Sequence, residues 1–132
     1  AGGYTAYYHT HTAWDVLRPE IDPPGYPLFG FMRQFFEGTR YWELIPRDPV
    51  GDGVWAMDSP GKEHVFWIPK DYVGKVPLPA EVKGMLATWF QPLTGKTWPV
   101  EEGWFDNREI QPATEVLHGP LILHLQRTED RR

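Results

Sequence analysis

Apolar and polar positions alternate in short runs along most of this chain, and turn residues interrupt nearly every run. The densest stretch covers residues 85–98, Met-Leu-Ala-Thr-Trp-Phe-Gln-Pro-Leu-Thr-Gly-Lys-Thr-Trp. Residues 85–90 have the aromatic and branched side chains that a half-buried strand requires. Pro92 presets φ for a turn, and Gly95 supplies a position where φ can be positive. Residues 96–98 then lead away as a second strand. Trp89, Phe90 and Trp98 place three large rings on this hairpin. An isolated hairpin is marginal in water, so other strands must cover those rings.

The pattern supplies them at regular intervals. Residues 41–45 read as a strand ended by Pro46, and residues 53–57 as a second, before the turn Ser59-Pro60-Gly61. Residues 64–68 are apolar nearly throughout, which marks a central strand. Residues 73–78 suit an edge strand, because Pro77 and Pro79 are tolerated only there. Residues 108–111 form a further short strand. In the closing run, 121–126, Leu121, Leu123 and Leu125 face one way, and Ile122, His124 and Gln126 the other. Roughly eight short strands at this spacing predict an antiparallel β-sandwich over residues 41–127. Trp67 and Trp89, in the most apolar strands, are expected in its core. Residues 128–132 read as a charged, frayed tail.

Residues 1–40 have a different texture. Residues 4–10 suit a strand, aromatic and β-branched after a Gly pair, and residues 19–24 a proline-rich acidic loop. Pro27 opens a helix at a tolerated first-turn position. Leu28, Phe31, Met32, Phe35 and Phe36 follow helical spacing, and Gly38 is expected to stop the helix as a left-handed cap. Strand, loop and helix make one βα unit, which is what remains when a (β/α)-type domain is cut near its end. The predicted fold is therefore mainly β, a sandwich preceded by a residual βα unit over residues 1–40.

Composition narrows the function. The 132 residues suffice for a domain with a real core, and 41% hydrophobic with 23% charged residues is typical of soluble globular proteins. The 14 Pro and 13 Gly favour short strands over long helices. A net charge of −5 argues against a nucleic-acid backbone as partner. Without cysteine there is no disulfide framework and no thiolate zinc site. No apolar run approaches the roughly 20 residues that span a bilayer, so no membrane partner is expected. With no signal peptide visible and no initial Met, the chain is read as processed or as a piece of something longer.

Ala-Gly-Gly-Tyr followed by Tyr-Tyr-His-Thr-His-Thr-Ala-Trp-Asp-Val resembles the last barrel strand and following loop of apiosidase-like (β/α)8-barrel glycoside hydrolases. The run Phe-Met-Arg-Gln-Phe-Phe-Glu-Gly-Thr-Arg-Tyr-Trp-Glu-Leu-Ile-Pro, residues 31–46, is similar to that family's final barrel helix and linker. Beyond it, Trp-Phe-Gln-Pro-Leu-Thr-Gly at 89–95 and Gly-Pro-Leu-Ile-Leu-His-Leu at 119–125 resemble the family's C-terminal β-sandwich, described as the collagen-binding domain of a collagenase. Nothing in these residues reads collagen. The resemblance implies a secreted or periplasmic protein. The family's acid and nucleophile are expected on earlier barrel strands, which this chain lacks, so catalytic residues do not carry over. Strand ends at the C-terminal face of a barrel line its active site. By the resemblance, His9, His11, Trp14 and Asp15 would line the sugar-binding side.

The residues themselves offer several candidate sites. His9 and His11 lie on one face of a strand, about 7 Å apart. That spacing would begin a metal site, with Asp15 or His64 as a further ligand, but it is weak evidence for one, and ordinary polar surface is the favoured reading, ahead of sugar-facing positions and of a metal. Asp15, Glu20 and Asp22 lie close in sequence, and glycosidases need two facing carboxylates about 5–9.5 Å apart. A proline-rich loop offers no scaffold to fix that distance, which leaves Asp15 and Glu20 as weak catalytic candidates. Flat indole rings would stack on sugars, which makes Trp42, Trp55, Trp67, Trp89, Trp98 and Trp104 candidates, although most such rings serve as core. Trp104, in Glu-Glu-Gly-Trp-Phe-Asp-Asn, sits in a loop and is the favoured exposed ring.

The expected function is a noncatalytic accessory β-sandwich of a glycoside-hydrolase-like protein, bracing a barrel or contacting polysaccharide. The alternative is a small independent carbohydrate-active enzyme using His9, His11 and a carboxylate, with or without a metal. No cofactor is called for. The partners expected are carbohydrate, a missing barrel domain, or a second copy of the chain joined through residues 1–38.

Overall fold

The computed structural model describes residues 25–51, 53–101, 108–112 and 119–130. The strand expected over residues 4–10 and the loop over 19–24 lie outside the described residues.

The first described element is a helix, α1 (Gly25–Glu37). Pro27 falls in its first turn, where its missing N–H removes no helical hydrogen bond. Phe31, Phe35 and Phe36 turn to the sheet, while Arg33 and Glu37 pair at 2.6 Å on the exposed side. The helix ends at Gly38 as expected, but Gly38 is not left-handed. The chain instead tightens: Gly38 N–H donates to the Phe35 carbonyl, and Thr39 donates to the Phe36 carbonyl through both its N–H and its Oγ1. A buried threonine thus satisfies the last carbonyls, a task a left-handed glycine performs in other helices.

Among the described residues eight strands follow: β1 (Ile45–Arg47), β2 (Trp55–Ser59), β3 (Glu63–Ile68), β4 (Val76–Pro77), β5 (Leu86–Gln91), β6 (Lys96–Pro99), β7 (Glu109–Ile110) and β8 (Leu121–Gln126). Six form one antiparallel sheet in the order β1-β2-β3-β8-β5-β6, and β4 pairs with β7 in a separate sheet of two. The fold is mainly β, as the patterning predicted, and its two sheets are very unequal. β3 is internal, as its apolar run required, and β8 is inserted between β3 and β5.

Three local expectations change. Residues 41–45 do not form a strand: Tyr41–Glu43 is a turn of 3-10 helix, and the strand begins at Ile45 and contains Pro46. Pro46 is tolerated because β1 is an edge strand, bonded to β2 alone among the described residues, so no second neighbour there needs its N–H. The edge strand expected over residues 73–78 shrinks to β4, whose sheet of two makes every strand an edge. The tail expected to fray over residues 128–132 holds a short 3-10 turn, Thr128–Asp130.

The hairpin of β5 and β6 forms in the expected register, with Trp89 opposite Trp98. Its turn closes with Gly95 N–H donating to the Gln91 carbonyl at 2.8 Å, and Gly95 takes φ +72°. That position demands glycine twice over. A Cβ there would stand 2.5 Å from Phe31 Cδ1, so the turn touches the helix directly.

The two faces of the large sheet have separate cores. On one face Ala56, Phe66, Ile68, Trp89, Leu121, Leu123 and Leu125 pack against Val76, Leu78, Val82, Met85 and Ile110 from the small sheet and the segment after it. On the other, Val65, Phe90 and Ile122 receive Phe35 of α1, with Phe31, Phe36, Leu44 and Met57 around it. The architecture is therefore helix on sheet on small sheet. The alternation in β8 sorts as read, with its three leucines in the first core and Ile122 in the second.

Candidate functional site

α1 crosses the large sheet from the β5–β6 turn, where Phe31 meets Gly95, to the Glu63 end of β3. Its exit carries a polar junction. Glu63, only 1% exposed, accepts a hydrogen bond from the Arg40 N–H at 3.0 Å through Oε2. Its Oε1 lies 2.5 Å from His124 Nε2, whose N–H donates to the carboxylate. Phe35 meets the His124 ring edge-on at 5.5 Å between centroids. A buried carboxylate is costly unless its oxygens are satisfied, and here each oxygen has a donor. The group ties the helix exit, β3 and β8 together. Beside it, Glu43 receives Arg40 at 2.5 Å and Lys62 at 3.2 Å. Desolvation opposes the charge on Glu43, but Lys62 and Arg40 outweigh it and hold the carboxyl below the usual range.

His64 lies on the opposite face of the same strand and is also buried. It stacks on Phe66 with ring centroids 6.3 Å apart. Asp58 approaches its Nδ1 to 3.8 Å and Glu81 its Nε2 to 4.0 Å, both beyond hydrogen-bond reach. Its Nε2 has no hydrogen-bond partner among the described residues. Burial pushes the imidazole pKa below its ordinary value, against the pull of Asp58 and Glu81. The two carboxylates face opposite ring nitrogens, an arrangement that does not chelate an ion. Among the described residues no group of His, Asp and Glu could hold a metal; His9 and His11, the pair to which His64 was expected to add a ligand, lie outside them.

The helix does not cover the whole face. At the far ends of β2 and β3, Trp55 and Trp67 are direct cross-strand partners, and Trp67 in turn faces Ile122. Trp55 is 45% and Trp67 39% exposed, whereas Ile122 under the helix is buried. Trp67 is thus not a core residue, contrary to the reading of its strand. It shares the helix face with Val65, and α1 reaches Val65 but not Trp67. Trp89 is 4% exposed and belongs to the core as expected, and Trp98 packs against it half-buried. Trp42 is exposed and sits edge-on to Tyr41 just after the helix exit.

His9, His11, Trp14, Asp15, Glu20 and Trp104, the residues singled out for substrate lining, catalysis or metal, all lie outside the described residues. The Trp55–Trp67 pair and the Glu63–His124 junction are the features that sequence reading missed. The equal register of two exposed tryptophans depends on strand pairing that the linear pattern does not contain. The charge of Glu63, next to an apolar run, reads as a strand end.

A search of the solved structures finds a chain titled "Glycoside hydrolase", with TM-score 0.59 and 13% sequence identity. The alignment covers 95% of this chain and 31% of that one, so this chain spans about a third of that protein's length. Neither a protein-family model nor a curated protein matches the sequence. At this identity the likeness concerns the fold: these residues fold as part of a glycoside hydrolase does.

Proposed function

We propose that this chain is a noncatalytic accessory β-sandwich region at the C-terminal end of an apiosidase-like glycoside hydrolase, and that it braces the catalytic barrel. The observation carrying this reading is the seating of α1. Its aromatic face is packed onto the large sheet around Phe35, and its exit is tied down by Glu63 and His124. A last barrel helix held in this way would transmit the sheet's rigidity to the barrel it closes. The likeness of nearly the whole chain to a third of a glycoside hydrolase supports the same reading. So does the resemblance of residues 31–46 to that family's final helix and linker.

An accessory region has no assembled acid and base of its own. The 132-residue chain, assayed against a panel of aryl glycosides, is expected to show no turnover. Turnover that disappears in Asp15→Asn or Glu20→Gln would overturn the reading.

A further inference from the structure

We propose that Trp55 and Trp67 form a platform for a glycan chain, and that the sugars it takes are pyranoses presenting axial C–H faces, as in β-1,4-linked glucans and xylans. This deepens the accessory-region reading and rests on it for the ligand class.

The platform is rigid. The two indoles project from directly paired positions on β2 and β3, and β3 is held on its other side by β8. Side chains at paired positions stand about 5 Å apart at Cβ, so the rings form a short row across the strands. Ring faces carry negative charge density and the axial C–H bonds of a pyranose carry positive, which makes a flat indole a suitable support.

The size of the patch separates a sugar from a protein. At 45% and 39% exposure the two side chains offer about 100 Å² each, if a whole indole side chain presents about 250 Å². A stable protein interface needs about 800 Å² a side. Two rings fall well short of that, and one or two sugar rings would cover them. Polar groups follow within a few residues. The segment after β3 forms an open cavity of about 300 Å³ lined by Pro69, Lys70, Asp71, Tyr72 and Val73. Pro69 also lies against Gly53, close to the start of β2. Lys70 and Asp71, three and four residues past Trp67, bring a donor and an acceptor to the same end of β3.

The test uses the full 132-residue chain with cellohexaose and xylohexaose, read by calorimetry and by tryptophan fluorescence. At least one is expected to bind, and Trp55→Ala and Trp67→Ala are each expected to weaken it at least tenfold. Trp42→Ala, at an exposed ring elsewhere, is expected to bind as the parent does. Circular dichroism and the thermal midpoint check that the variants fold. Binding equal in all variants would overturn the platform, as would no binding to the parent at millimolar sugar. Dimerisation that either Trp variant abolishes would assign the rings to a protein contact and likewise overturn it. None of these results involves glycoside turnover, so the platform can fail while the accessory-region reading stands.

Discussion

The two faces of the large sheet do different work. The face toward β4 and β7 is apolar across its middle and closed, with Leu121, Leu123 and Leu125 buried at its centre. The face toward α1 has a smaller core, one buried carboxylate with its histidine, and two tryptophans left uncovered. A sheet face covered by its own sandwich partner needs little polar chemistry, and here the middle of that face is apolar, with His64 buried toward one end. A face covered by a single helix must also fix the direction in which that helix lies. Hydrogen bonds at Glu63 supply that direction, which apolar contact does not.

The closed face should dominate stability. Trp89→Ala is expected to cost about 3–5 kcal/mol, as a large-to-small change in a packed interior, read from urea unfolding midpoints. A loss below about 1 kcal/mol would erase the distinction between the faces.

On the helix face, Glu63→Ala removes the acceptor for both the Arg40 N–H and His124. Each donor left buried costs about 1–3 kcal/mol. Hydrogen exchange should locate the damage at the end of α1 and the residues after it, with the amides of β8 still protected. If β8 opened equally, the junction would be part of the main core and not a helix latch.

Gly95→Ala combines a backbone penalty of about 1–3 kcal/mol at φ +72° with a Cβ that must displace Phe31. The expected loss is largest in the contact between hairpin and helix. It should appear as altered ring signals of Phe31 while Trp89 is unchanged.

Acid should act on the closed face through His64. Its folded-state pKa is depressed by burial, so the unfolded chain binds its proton first, near pH 6.5. The stability tied to the neutral ring is complete above about pH 6.5 and is lost as the pH falls toward the folded-state value. His64→Gln should flatten that part of the pH profile of the unfolding midpoint. A profile that keeps its slope would place the acid sensitivity elsewhere.

The smallest effect is expected at the uncovered corner. Trp55→Ala should change stability by no more than about 0.5 kcal/mol, as for a surface position outside any network. A loss comparable to that of Trp89→Ala would mean that the ring is covered in solution, and the corner would then belong to an interface.

Much of the fold was legible along the chain. Period-two alternation assigns Leu121, Leu123 and Leu125 to one face of β8 and Ile122 to the other, because successive side chains must point to opposite sides. Pro92 and Gly95 fix the β5–β6 hairpin through local backbone geometry alone. The helical spacing of Phe31, Phe35 and Phe36 marks the face that α1 buries. The candidate site was less legible. Alternation states which side a residue points to, but what covers that side is a tertiary matter. Trp67 and Val65 obey the same rule on the same strand, and only the path of α1 leaves one exposed and the other buried. Pro46 sits inside a strand because tertiary order put β1 at an edge. Glu63 is buried because residues distant in sequence, Arg40 and His124, bring donors to its oxygens. Local periodicity set the faces of each element; the pairing of β8 between β3 and β5, and the helix laid across them, decided which of those faces meet water.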